Sequence, residues 1–451
     1  MVHRKLTSFA FVTCILLSRG DAFSTLHSPR QWHGPKSNTF KIHVSTGSGI
    51  LPSDETSLPS TSSPSPRSRN VSRAAEWHQK RRRAMIQKYG DQILPLEQES
   101  SQTIGLPLLV MTNVSLLLLS IWSGSLPLAG VLALSIFPGS ILSLWQLQIL
   151  HDGIHGTLVK RPWQQKVLFW GSLPSVFGYY LYLKFGHLTH HKSVGDASLL
   201  QLFESSQTDF EDGDVLFVSH RMKLKGDIGP QFKLFGNQRI TMSISRSGFQ
   251  LWQSQQALWN AMMFSASFLF ERYLLCWNDV VVALTGRNYF FPNKPASFHQ
   301  TCATYTRCAV ALRLFLFLVA GWKSLLFLYL SETLWSIPPH PACAMFITNH
   351  GSKGGEDACQ PTSSTYAGAW YSLLTLGTNY HCEHHDFPSI PFHLLGRLHQ
   401  IAPEFYNASS GKRDNVFGIM KDTFADPQFY ACTNANRLQD YSESSHYDDC
   451  Q

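Results

Sequence analysis

Between Glu99 and Asp152 the chain holds no Asp, Glu, Lys or Arg. Two apolar runs fill that interval, 105–123 and 126–150, parted by Ser123-Gly124-Ser125. About 20 apolar residues span a bilayer as a helix, so this pattern predicts a transmembrane hairpin. A second hairpin is predicted over 304–347, turning at Gly321-Trp322-Lys323. Pro338, Pro339 and Pro341 interrupt its second arm, which should kink or end early there. Trp122, Trp322 and Trp335 are placed to anchor at the membrane interface. Ahead of the first hairpin, 76–104 begins as a charged amphipathic helix. After the second, 406–451 turns polar and acidic, which predicts a surface helix and a loose tail. The expected class is all-α, with about four transmembrane helices in two hairpins and a helical cap within 105–405.

Two apolar stretches do not fit a simple crossing. Residues 167–183 contain Pro174, and 257–275 contain Glu271-Arg272. Three histidine clusters lie beside these segments: His151-Asp-Gly-Ile-His155, His187-Leu-Thr-His190-His191 and His381-Cys-Glu-His384-His385. On a helix the spacings i, i+4 and i, i+3, i+4 each turn the imidazoles to one face. Neutral imidazole is a common ligand for iron, zinc and copper. A tetrahedral zinc takes only about four ligands, so eight convergent histidines suit two metals. For all three clusters to meet, each hairpin must return the chain to its starting side. Residues 167–183 and 257–275 are then expected to lie along the interface or re-enter. Metals held beside apolar spans point to oxygen-dependent attack on lipid C–H bonds. Such bonds are not acidic, and a strong oxidant of the kind iron and dioxygen provide is needed.

The flanks and the charge refine this picture. The net charge of +7 is not organised as a nucleic-acid footprint, and no nucleic-acid partner is expected. The densest basic run, Lys80-Arg81-Arg82-Arg83, precedes the first span and marks the cytosolic or stromal side. Residues 1–22 read as a signal peptide, with Arg4 and Lys5 before an apolar stretch. Residues 23–75, rich in Ser, Thr and Pro, have the composition of a transit peptide or a disordered linker. A plastid membrane and the endoplasmic reticulum are the two expected locations. The nine cysteines include no CxxC pair, and Cys382 is expected to pack beside its histidines rather than ligate.

The third cluster lies in Asn379-Tyr-His381-Cys-Glu-His384-His385-Asp386-Phe387-Pro388 and continues to Ile401-Ala-Pro-Glu-Phe-Tyr406. This segment closely resembles the sphingolipid Δ4-desaturase (dihydroceramide desaturase) family of membrane fatty-acid desaturases. Glu76-Trp-His-Gln-Lys-Arg-Arg-Arg, Pro292-Asn-Lys-Pro295 and Phe346-Ile-Thr-Asn-His350 are similar to further pieces of that family. The resemblance implies two iron ions, dioxygen as co-substrate and a trans double bond at C4–C5 of a long-chain base. Some members of the family hydroxylate C4 instead. It also implies an external electron donor, cytochrome b5 or ferredoxin. The chain departs from the family at Asp152, Thr189, Met345 and Asn349, and 221–256 reads as an insertion. The first cluster is also similar to that of carotenoid ketolases. A plastid ketolase, hydroxylase or acyl-lipid desaturase therefore stands as the alternative activity, and a non-catalytic desaturase-derived membrane protein as a third reading.

The expected metal ligands are His151, His155, His187, His190, His191, His381, His384 and His385, with His350 as a ninth. Carboxylates commonly hold ligating imidazoles by their second nitrogen, and Asp152, Glu383 and Asp386 are placed for it. Asn349 is expected to orient His350 or accept from metal-bound water. Asp196, Asp209 and Glu211 are expected to support the second cluster or meet a lipid headgroup.

Overall fold

The two apolar hairpins form, and they form as helices, because only internally paired backbone is tolerated in hydrocarbon. In a computed structural model of the chain, the described residues are 73–159, 184–192, 231–234, 238–241, 253–288, 294–349, 362–406 and 415–425, with isolated positions between 161 and 178 and at Phe291. The expected signal peptide, nearly all of the transit segment, most of 167–183, His350, Asp196, Asp209, Glu211 and the acidic tail lie outside them.

Helix α1 (Arg73–Gln98) is amphipathic as its pattern predicts. Its Met85, Ile93 and Leu96 are buried against Cys382, Phe387, Leu395 and Leu398, while Lys80, Arg83 and Lys88 are exposed. Helix α2 (Gln102–Ser123) buries Gly105, Leu109, Thr112, Leu116, Ser120 and Ser123 along one stripe. Its other face exposes Val110, Met111, Val114, Leu118 and Trp122. Small residues inside and large apolar ones outside is the arrangement of a helix packed in lipid. The return arm comprises α3 (Leu128–Leu134), a π turn over Ser135–Gly139 around Pro138, and α4 (Ser140–His155). Proline lacks the N–H that the regular ladder needs, which is a common cause of such a turn.

The second hairpin is α7 (Ala296–Ala320) and α8 (Trp322–Leu334), joined at Gly321 with φ +78°. Three apolar arms, Gln102–Ser123, Leu128–His155 and Ala296–Ala320, are long enough to cross a membrane. The fourth, α8, has 13 residues. At about 1.5 Å per residue it reaches roughly 20 Å, short of the ~30 Å hydrocarbon core. The early end expected from Pro338 and Pro339 is therefore found, and the fourth arm is a partial helix. Trp122 and Trp322 are exposed at the hairpin turns. Trp335 is not an interfacial anchor: it is 2% exposed and packs edge-on against Phe346.

The turns of the two hairpins lock together. Ser120 Oγ donates to the Ser324 carbonyl at 3.1 Å, and Lys323 Nζ to the Leu126 carbonyl at 2.5 Å. A Cβ on Gly124 would overlap the backbone oxygen of Ala320. Gly124→Val should cost about 1–3 kcal/mol through overpacking, read as a lower unfolding temperature of the detergent-solubilised protein. An unchanged unfolding temperature would mean that the turns do not touch.

Between the hairpins, α5 (Lys184–Lys192) carries the second histidine cluster. The region read as an insertion holds a short antiparallel pair, β1 (Gln231–Leu234) with β2 (Gln238–Thr241), in which Phe232 faces Ile240. It is the one β pair among the described residues. Residues 253–285 form a single 33-residue helix, α6 (Gln253–Thr285), where only an interfacial or re-entrant 257–275 was expected. Its polar positions explain the continuity, because they are answered by neighbouring helices: Arg313 reaches Asp279 at 2.8 Å, and Arg272 reaches Glu332 at 3.4 Å. The cap follows α8 as α9 (Ala342–Thr348), α10 (Ala369–Leu374), α11 (His381–Asp386), α12 (Leu395–Ile401), α13 (Pro403–Tyr406) and α14 (Val416–Ala425). Ile419, Met420 and Phe424 of α14 share a core with Phe264 and Phe268 of α6.

Candidate metal centre

Each histidine cluster lies on a helix whose limits follow from its neighbours. Helix α4 stops at His155 because Gly156 adopts φ +76°, and its N–H caps the Asp152 and Gly153 carbonyls. A side chain at that φ would be strained, so glycine fixes where the first cluster ends. Helix α11 starts after Tyr380 and has Glu383 in its first turn, where a carboxylate complements the positive helix end.

The three clusters converge. One ligand atom from each of His151, His155, His187, His191 and His384 falls within 4.8 Å of the others. His190, His381 and His385 form a second group on the same criterion. Nε2 of His155 is 2.9 Å from Nε2 of His187, and Nε2 of His191 is 3.0 Å from those of His187 and His384. Nε2 atoms of His190 and His385 are 3.3 Å apart. Two nitrogens bound at right angles to an ion at about 2.1 Å would be separated by roughly 3.0 Å, so the donors stand at coordination spacing. The groups adjoin: the rings of His191 and His385 stack at 4.2 Å.

The electrostatics favour ligation. Burial, reinforced by neighbouring imidazoles, pushes His187, His191, His381 and His384 well below the ordinary histidine pKa. A neutral imidazole keeps the lone pair that a metal needs. All eight expected histidines fall in two groups that could hold a metal ion. His350 lies outside the described residues. Asn349 ends α9 as its C-cap, and its buried Oδ1 accepts no hydrogen bond among the described residues. Met345 is buried beside Tyr371 and receives a hydrogen bond from the Thr378 hydroxyl at 3.5 Å.

Each carboxylate ties a cluster-bearing helix to a neighbouring segment. Asp152 accepts from the Ser101 hydroxyl at 2.7 Å and the Phe392 N–H at 3.3 Å. Glu383 accepts from Ser364 and Tyr366 at 2.6 Å and bonds His399 Nδ1 at 2.7 Å. Asp386 bonds His78 Nδ1 at 2.6 Å and Arg81 Nη2 at 3.0 Å. Burial alone would raise the Asp386 carboxyl, but Arg81 and His78 hold it below the usual carboxylate value. Burial keeps His78 below the ordinary histidine value. Neutral His78 therefore donates from Nδ1 to Asp386 and accepts at Nε2 from the Thr362 hydroxyl, 3.1 Å away. Its ring lies 5.2 Å from that of His385. Cys382 is buried with Met85, Phe387 and Leu398, and its sulfur also lies within 4.8 Å of ligand atoms of His78 and Asp386, a third group that could hold a metal ion.

Sequence reasoning missed His78, Arg81, Ser364, Tyr366 and His399 as supports. His78 and Arg81 sit within the Glu76-Trp-His segment already similar to the desaturases, which is the signal that would have found them.

Comparison with known proteins agrees with the geometry. The family model Fatty acid desaturase matches residues 249–414. A sphingolipid delta(4)-desaturase DES1-like protein of Oryza sativa is 41% identical over 90 residues, 19% of this chain and 25% of that protein. A putative sphingolipid delta(4)-desaturase/C4-monooxygenase of Caenorhabditis elegans is 45% identical over 86 residues, 19% of this chain and 22% of that one. The human sphingolipid delta(4)-desaturase DES1 is 34% identical over 123 residues, 27% of this chain and 35% of its own. The matches thus span 22% to 35% of these relatives' lengths. No solved structure matches the chain significantly. The family match covers the third cluster but neither of the first two, which the fold brings to it from residues 151–191. Residues 249–414 match the fatty acid desaturase family model, and over its matched stretches the chain is similar to the sphingolipid delta(4)-desaturases.

Proposed function

We propose that this protein is a membrane di-iron, O2-dependent lipid desaturase that introduces a double bond into a sphingolipid long-chain base, at C4–C5 as in the relatives it resembles. The observation that carries the reading is the meeting of eight imidazoles, from three distant segments, in two adjoining groups. His151, His155, His187, His191 and His384 would hold one iron; His190, His381 and His385, with His350 as a further donor, would hold the other. When bound, reduced iron and dioxygen supply an oxidant strong enough to take hydrogen from unactivated C–H bonds.

The protein's part is placement. Asp152, Glu383 and Asp386 anchor α4 and α11, so the imidazoles are held before any ion arrives. Leu109, Ile149, Leu158, Val176 and Phe392 form an apolar core beneath the first cluster and keep bulk water from its membrane side. The exposed apolar faces of the hairpins hold the site at a bilayer, where a lipid chain is at hand.

The test is to express the full chain in a host lacking long-chain-base desaturation and to profile lipids and pigments together. The expected result is iron-dependent appearance of a C4–C5 alkene in the long-chain base. Because the first cluster is also similar to that of carotenoid ketolases, the rival outcome is specific: oxidised carotenoids with unaltered sphingolipids would replace this reading.

A further inference from the structure

Removing two hydrogens from a lipid while dioxygen becomes two waters takes two further electrons and two protons. Nothing in a lipid substrate supplies them, so a one-electron donor must reach the centre twice per turnover. This inference rests on the di-iron reading and asks where that donor docks.

The route lies at the start of α1. Trp77 is half-buried, with the Arg81 guanidinium 4.4 Å above its ring. Its ring meets that of His78 edge-on at 4.8 Å. The His78 ring in turn lies 5.2 Å from His385, a member of the second histidine group. Three rings thus lead from the surface to a metal-site imidazole. His78 is fixed in this chain by Asp386 on one nitrogen and Thr362 on the other.

The surface around the entry carries cations. The exposed stripe of α1 runs through Glu76, Gln79, Lys80, Arg83, Gln87, Lys88 and Asp91. Among the described residues Lys80 and Arg83 have no acidic partner, whereas Lys88 is shared with Glu404 at 2.6 Å and Arg82 with Glu97 at 2.6 Å. Glu76 and Asp91 stand at the two ends of the stripe, leaving its middle positive. Free charge of one sign beside a redox route attracts a partner of the other sign. The same basic run precedes the first span, so it faces the compartment of soluble carriers.

We propose that the exposed face of α1 around Lys80 and Arg83 docks a small acidic one-electron carrier protein, and that Trp77 and His78 conduct its electrons to His385. Trp77 and His78 are relay groups in this proposal.

The test uses the full iron-loaded protein in phospholipid nanodiscs, with fluorescently labelled cytochrome b5 soluble domain and ferredoxin as probes. The double substitution Lys80→Glu/Arg83→Glu should slow association at low salt on the order of tenfold, because steering by rim charge acts on the on-rate. The difference should close at high salt, where the charges are screened. Trp77→Leu should leave association unchanged, slow reduction of the ferric centre by the carrier several-fold, and leave reduction by dithionite unchanged. A charge-reversed protein that associates at the wild-type rate overturns the docking face. A Trp77→Leu protein reduced by the carrier at the wild-type rate overturns the route. Failure of the di-iron reading would look different: the wild-type protein would show no iron-dependent absorbance change with dithionite, while carrier fluorescence would still report whether docking depends on Lys80 and Arg83.

Discussion

His384→Ala should abolish product formation and release iron while leaving the protein inserted and folded. His384 belongs to the group of five, with Nε2 3.0 Å from that of His191 and its ring 4.5 Å from His151 and 4.7 Å from His155. It therefore lies inside the group of five imidazoles rather than at its edge. Groups that merely support ligands already cost about 10–100-fold in metal affinity or activity when removed, so a ligand itself should cost at least about a hundredfold. Alanine is a good helix former, and α11 is held by Glu383 and Asp386 independently of the imidazole, so the fold should survive. His393→Ala is the contrast: His393 is exposed and belongs to neither group, and its loss should leave iron content unchanged. Metal analysis of the purified proteins and lipid profiling of the expressing host decide the matter. A His384→Ala protein with full iron and full activity would refute the ligand assignment.

The sequence revealed what local periodicity encodes and concealed what depends on distant partners. Helical spacing within each cluster set the imidazoles on one face, and the need for the faces to meet anticipated their convergence. The charge-free run and its Ser-Gly-Ser break carried the first hairpin, because a bilayer demands long apolar helices and a turn between them. The supports of the site were hidden. His78 meets Asp386 across 308 positions and Ser101 meets Asp152 across 51, separations that no periodic pattern reaches. The partners of the carboxylates depend on where α1 and the cap lie. Trp335 was misplaced for the same kind of reason: tryptophan suits an interface, yet its burial was decided by Phe346 and Ala342. Helix α6 extends beyond 257–275, and the partner that answers its Arg272, Glu332, lies on another element.

That last pairing is half of a buried charge network, and breaking the other half should have the second large effect. Arg313→Met should destabilise the protein by about 3–5 kcal/mol, the cost of leaving one member of a buried ion pair unanswered. Asp279 is 1% exposed and lies 2.8 Å from Arg313, whose guanidinium also covers the Phe177 ring at 4.4 Å. Nearby, Ser143 of α4 donates to Glu332 of α8 at 3.0 Å, and Glu332 faces Arg272 of α6. Four helices, α4, α6, α7 and α8, are therefore joined through buried polar and charged side chains. Charges there are costly, so each must be matched rather than merely tolerated. The double substitution Asp279→Leu/Arg313→Met removes both charges and should recover most of the loss, since an apolar pair of similar volume can stand in for a buried ion pair. Unfolding of wild-type, single and double variants in the same detergent gives the coupling. If Arg313→Met alone were as stable as the double variant, the pair would not be charged and buried in the way described, and the continuity of α6 would need another cause.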